Sequence, residues 1–309
     1  MAEVILHHYP TSPFAEKIRA LLGAKSIAWR SVVIPQIMPK PDVIALTGGY
    51  RKTPVLQIGA DIYCDTTRIA QELERIAPKP ALLPETHAAT AARFAQWCDT
   101  TLFQVAVGLV FQPAVIAKSF PGPPENLQAF IADRMAMREG STVRRIPADE
   151  AQATLTVFLG ELEAQLRDGR KHLLGDAPTI ADFSAYHPLW FVSRVDQAAA
   201  DIAAKPAVAQ WLASMRGLAD PAPAELPSEQ AVAIAAAATP STLAPSSDTA
   251  GLSVGDLVEV GATDYGLEVT TGELVRLSTD EIAVRRTDPR AGEVIVHFPR
   301  ISYQVRRAT

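Results

Sequence analysis

A change of hydrophobic period near residue 86 limits what this 309-residue chain can become more than any other feature. Before that point short β-prone runs alternate with helical ones: VILHHY, PFAEKIRALLGA, WRSVVI, a Pro/Gly loop from Pro35 to Gly49, TPVLQI, a Gly-Ala-Asp turn and DTTRIAQELERI. Such alternation with short connections marks an α/β unit, here residues 1–80. In its first helix Phe14, Ile18, Leu21 and Leu22 share one face while Glu16, Lys17 and Arg19 point elsewhere. Ser12 is the expected N-cap, Pro13 the first helical residue and Gly23 the C-cap.

From Thr86 the pattern is helical. Phe94, Trp97, Cys98, Thr101, Leu102, Val105 and Leu109 recur at helical spacing up to Pro113, which predicts one long amphipathic helix. Further helices are expected in ENLQAFIADRMAMRE, ADEAQATLTVFLGELEAQLRD, IADFSAYHPLWFVSRV and PAVAQWLASMRGL, so residues 86–218 read as an all-α domain. Residues 219–250, rich in Ala, Pro, Ser and Thr, read as a linker with room for a short helix in SEQAVAIAAAA. DLVEV, GELVRL, EIAVRR, GEVIVHF and SYQVRR then predict a small all-β module over residues 251–309, most simply a five-stranded barrel. No lysine follows Lys205, although arginine stays frequent, which sets this tail apart.

A net charge of −5 gives no reason to expect a nucleic-acid or anionic-membrane partner. The start, MAEVILHHYP, lacks a basic region followed by a long apolar run, and no later run approaches a membrane span, so a cytoplasmic protein is expected. Two scattered cysteines, Cys64 and Cys98, suit burial better than a disulfide framework or a thiolate metal site. The six histidines show no ligand spacing, so no metal is expected.

Three local signals carry chemistry. At Tyr9-Pro-Thr-Ser-Pro-Phe a hydroxyl opens a helix beside unpaired N–H groups and the positive end of the dipole, where it can donate to an anion such as a thiolate; the bland alternative is that Ser12 only caps. At Lys52-Thr53-Pro54-Val55 a proline enters an apolar strand; a cis turn there frees the Val55 backbone to pair with a peptide ligand, and an ordinary strand start is the alternative. At Asp65-Thr66 a carboxylate and a hydroxyl open the next helix, suited to the ammonium and carboxylate of an amino-acid zwitterion, or to capping alone.

In their order and spacing these signals resemble the glutathione transferase family. The likeness covers residues 1–218 and implies a thioredoxin-like N-terminal domain, an all-α second domain and conjugation of glutathione to a small hydrophobic electrophile. It implies that Ser12, or Tyr9 in a tyrosine-type mechanism, bonds the glutathione sulfur and lowers its pKa. It further implies that Val55 pairs with the cysteinyl backbone behind the Thr53-Pro54 turn, that Asp65 and Thr66 bind the γ-glutamyl end, and that Lys52 attracts the glycyl carboxylate. A homodimer follows from the same likeness. Thr179 and Asp182 match the family's T-x-x-D capping box, a structural motif.

The chain departs from the pattern in carrying Asp65-Thr66 where the family commonly has Glu-Ser, and the absence of cysteine at position 12 argues against the disulfide-reducing branch. The long segment from Ala114 to Pro147 is placed to roof the electrophile pocket. Met135, Met137, Phe111, Phe120 and Trp190 suit either that pocket or the core. A competing class is a glutathione-binding or non-catalytic scaffold whose β module docks a partner. The arginines at 285, 286, 300, 306 and 307 supply charge for docking, or form a solvated surface balanced by nearby acids.

Overall fold

Successive residues of the first strand go to opposite faces of a sheet and into two different cores. Leu6 joins Ile18, Leu21, Leu56 and the helical half, whereas Ile5 joins Val32, Leu46, Ile62 and the C-terminal strands. The computed structural model describes residues 3–119, 123–219, 223–244 and 251–308. The α/β unit runs β1 (Val4–His8), α1 (Pro13–Ala24), β2 (Arg30–Val33), α2 (Pro41–Thr47), β3 (Val55–Ile58), β4 (Asp61–Cys64) and α3 (Thr66–Ile76). β1 pairs parallel to β2 and antiparallel to β3, and β3 pairs antiparallel to β4.

Local expectations held with three adjustments. The segment read as a Pro/Gly loop contains α2, two turns opened by Pro41 and ended by Gly48 in the left-handed region; that is too short for an apolar period to show. Helix α1 runs past Gly23 to Ala24, with Lys25 as its C-cap. Its polar residues are buried: Lys17 is fully enclosed, and Glu16 accepts from both Arg19 and the Tyr186 hydroxyl, because the helical half covers the face they occupy.

The helical half comprises α4 (Ala88–Trp97), a π-helical turn (Cys98–Leu102), α5 (Phe103–Val110), α6 (Pro113–Ser119), α7 (Pro124–Ala136), α8 (Ala148–Leu166), α9 (Ile180–Val192), α10 (Asp196–Ala203) and α11 (Pro206–Arg216). The long helix expected up to Pro113 is therefore interrupted, and the π turn sets Asp99 against Lys17 of α1 at 2.7 Å. Asp182 at the start of α9 accepts from the Thr179 and Leu173 N–H groups and from the Trp211 indole, the structural role its motif implied.

The Ala/Pro-rich stretch forms β5 (Ala224–Glu225) beside β2 and α12 (Ser228–Ala237), which buries Ala231, Val232 and Ala235 against the sheet. Next come β6 (Leu257–Ala262), β7 (Thr270–Leu277), β8 (Glu281–Asp288), β9 (Gly292–Pro299) and β10 (Tyr303–Arg307), the five strands read from the sequence. They form an added antiparallel module in the order β10-β6-β7-β8-β9, and β9 then pairs parallel to β4. One ten-stranded sheet results. At the seam His297 stacks on Tyr63 at 4.5 Å and bonds both Asp61 and Glu281. Of the five arginines singled out in the sequence, four pair with acids: Arg285 with Glu273, Arg286 with Asp288, Arg306 with Glu259 and Arg307 with Asp256. No helix among the described residues is long and apolar enough to cross a membrane.

Candidate active site

The N-terminus of α1, the β3 entrance and the N-terminus of α3 open onto one cavity of about 1260 Å³. Ser12 is buried at the α1 cap, where its Oγ accepts the Ala15 N–H at 3.2 Å, leaving its own proton available to a guest. Tyr9, at the end of β1, shares a side-chain hydrogen bond with Ser12, and burial pushes its phenol pKa up, so it stays a neutral donor at physiological pH. The Thr53–Pro54 bond is cis, and both residues line the cavity. Val55 lies behind them, 1% exposed, paired with His7 and Cys64 rather than forming part of the wall.

At the opposite end Asp65 adopts φ 74°, a left-handed value uncommon outside glycine, and its Oδ1 accepts the Thr67 N–H at 2.8 Å. Burial raises the Asp65 pKa. Thr66 Oγ1 accepts from Lys17 Nζ at 3.3 Å, and the same ammonium reaches Asp99. Burial works against the charge of Asp99, but Lys17 and His187 more than offset it and hold its carboxyl down at about 2.

Besides Lys17, the lysines Lys40 and Lys52 line the cavity, and these two differ in their partners. Lys52 Nζ sits 2.6 Å from Asp264 and 4.3 Å from the centre of the Tyr265 ring, both in the loop between β6 and β7. Among the described residues Lys40 Nζ bonds two neutral acceptors, the Arg51 carbonyl at 3.2 Å and Thr53 Oγ1 at 3.1 Å, with the Asp133 carboxylate close enough to act on its charge. Burial, with Arg134 nearby, brings Lys40 down to about 8. The sequence reading missed Lys40, Asp264 and Tyr265. A lysine before a proline-initiated helix carries no local signal of where its ammonium points, and Lys52 and Asp264 stand 212 residues apart. Close backbone approach lets that loop dock, since a Cβ on Gly49 would lie 2.2 Å from the Val269 carbonyl oxygen.

The rest of the cavity is largely aromatic and aliphatic. Phe14, Phe103, Phe111, Phe130 and Phe191 line it, with Ile116 of α6 and Leu127 of α7, so the 114–147 segment does form part of its wall. Met135 and Met137 also line it. Trp190 does not; it stacks with Arg194 at 4.0 Å. Phe120 lies outside the described residues. Cys64 and Cys98 are fully buried free thiols with pKa values well above the ordinary one, so neither is available as a nucleophile here.

Residues 6–81 match the model of the glutathione S-transferase N-terminal domain, and residues 148–214 that of the C-terminal domain. No curated protein matches the chain. Among solved structures, a GST-like protein from Pseudomonas syringae is 42% identical, with 100% of each chain covered and a TM-score of 0.83. That coverage includes the C-terminal strands. A glutathione S-transferase from Rhodospirillum rubrum F11 is 21% identical over 69% of this chain and 87% of its own, with a TM-score of 0.50. Glutathione S-transferase III in its apo form is 23% identical over 75% and 96%, at 0.52; these two share the fold. The chain belongs to the glutathione S-transferase family.

Proposed function

We propose that this protein conjugates the thiolate of glutathione to a small hydrophobic electrophile, acting as a cytoplasmic homodimer. The observation that carries the reading is the placement of the Ser12 hydroxyl at the start of α1, on the same cavity wall as Asp65, Thr66 and Lys40. The Ser12 proton, supported by Tyr9, donates to the glutathione sulfur. A hydrogen bond to a charged acceptor of ~1.5–3 kcal/mol lowers a thiol pKa by about one to two units. The thiol proton leaves to water, the sulfur lone pair forms the S–C bond, and the leaving group, or the electron pair of an activated double bond, takes up the displaced charge.

In this reading Asp65 holds the ammonium and Thr66 the carboxylate of the γ-glutamyl end. Thr53 and Pro54, held in place by Val55 behind them, flank the cysteinyl part. Lys40, whose ammonium bonds no carboxylate among the described residues, takes the glycyl end ahead of Lys52, which already has Asp264. The aromatic wall receives the electrophile. Family membership supports dimerisation, and two buried free cysteines suit a reducing compartment. Calorimetric titration with glutathione, followed by turnover of a chromogenic aryl halide, tests the reading. Absence of binding at millimolar glutathione would end it, and light scattering checks the dimer.

A further inference from the structure

The C-terminal strands enter the candidate site at two points. The β6–β7 loop brings Asp264 and Tyr265 onto Lys52. At the start of β10, the Tyr303 hydroxyl donates to Asp65 Oδ2 at 3.2 Å, across 238 residues of chain. Tyr303 is 5% exposed; its ring packs on Phe298 at 5.4 Å, and its hydroxyl shares a hydrogen bond with Tyr50.

Asp65 is thus gripped from both sides. The Thr67 N–H donates to Oδ1 and Tyr303 to Oδ2, so donors from two elements restrain the carboxylate, and Asp65 lines the cavity. Without Tyr303, a short side chain on a backbone at φ 74° would keep hydrogen bonds only to Thr67 of its own helix start, to the N–H and to the side chain. We propose that Tyr303 is a positioning residue of the thiol site, fixing the Asp65 carboxylate to receive the α-ammonium of the tripeptide, so that the C-terminal strands form part of the binding machinery. The inference rests on the glutathione reading given above. It assigns to β10 a function that the two family domains, ending at residue 214, do not contain.

The test uses the full chain, calorimetry, and two ligands: glutathione, and glutaryl-cysteinyl-glycine, which has the same length but no ammonium. Tyr303→Phe keeps the ring and removes the hydroxyl. It is expected to weaken glutathione binding roughly three- to tenfold while changing the analogue by less than about twofold. In an Asp65→Asn background the same change is expected to have no further effect. Equal weakening for both ligands, no weakening for glutathione, or full additivity with Asp65→Asn would each overturn the proposal. If the unaltered protein bound neither ligand, the glutathione reading would fail and take this one with it. Binding of both with equal affinity would leave the thiol site standing and overturn the role of Asp65 and Tyr303 alone.

Discussion

His297 on β9 places Nε2 3.0 Å from the carboxylate of Asp61 on β4, while its Nδ1 lies 2.7 Å from Glu281. Burial opposes a charge there, yet the two carboxylates hold the imidazole pKa above its usual value. A histidine with a raised folded pKa stabilises fully below about pH 6.5, its unfolded value, and loses that contribution as pH rises through the folded value. His297→Gln is expected to cost roughly 2 kcal/mol in urea unfolding at pH 6, because it removes the cation that Asp61 and Glu281 share and leaves the first to Ser241 and the second to Arg68 and Arg276. The gap between the two proteins should narrow at pH 9. A gap that widens with pH would contradict the assignment.

Three other histidines act with the opposite sign. His7, His8 and His187 are all buried, and burial brings each down to about 4. The folded state keeps them neutral while the unfolded chain takes up protons below about pH 6.5, so stability is full above that value and falls as pH drops toward 4. Each contributes up to ~3 kcal/mol by pH 4. With three such groups against one, the melting temperature should decline from pH 7 to pH 5, and His8→Gln should flatten the decline.

Ser12→Ala is expected to raise the pKa of bound glutathione thiol by about one to two units and to slow conjugation at pH 6.5 roughly 10- to 100-fold. It also removes a helix cap at a cost of about 1 kcal/mol, which unfolding measurements report separately. Tyr9→Phe should have the smaller kinetic effect. The reverse order, read from thiolate absorbance, would transfer the role to Tyr9.

The partners of the two lysines separate their effects. Lys40→Met is expected to weaken binding of S-methylglutathione roughly tenfold, and Lys52→Met by less than about threefold, since Asp264 already neutralises Lys52. Because Lys40 titrates at about 8, affinity for this thiol-blocked ligand should fall as pH rises through that value, and Lys40→Met should abolish the fall.

Asp182→Ala leaves the Leu173 and Thr179 amides and the Trp211 indole without their buried acceptor. A loss of about 3 kcal/mol or more is expected in denaturant unfolding. The affinity for glutathione of the protein that remains folded should not change, because none of these residues lines the cavity.

How far the site could be read in advance depended on how local its signals were. Ser12, Pro54 and Asp65 sit at element ends, where capping and turn chemistry mark positions within a few residues, and the structure brings all three to one cavity. The five C-terminal strands were legible for the same reason, since alternation and Gly, Asp and Pro turns are short-range patterns. What the tail attaches to was not legible. The β4–β9 pairing joins residues more than 230 apart through main-chain bonds, which leave no periodic trace in either segment. The π turn at Cys98–Leu102 was hidden likewise, because it preserves apolar residues on both flanks while advancing the register between them.

The seam between β4 and β9 makes the tail inseparable from the two family domains it follows. Severing the chain after the helical half would not return a smaller stable protein; it would bare a row of amides on β4 and open the greasy underside of the sheet, a surface inviting aggregation. Chimeras exchanging only the last quarter of the molecule with a relative should fail unless the matching residues of β4 travel with it, so the two segments are constrained to evolve together.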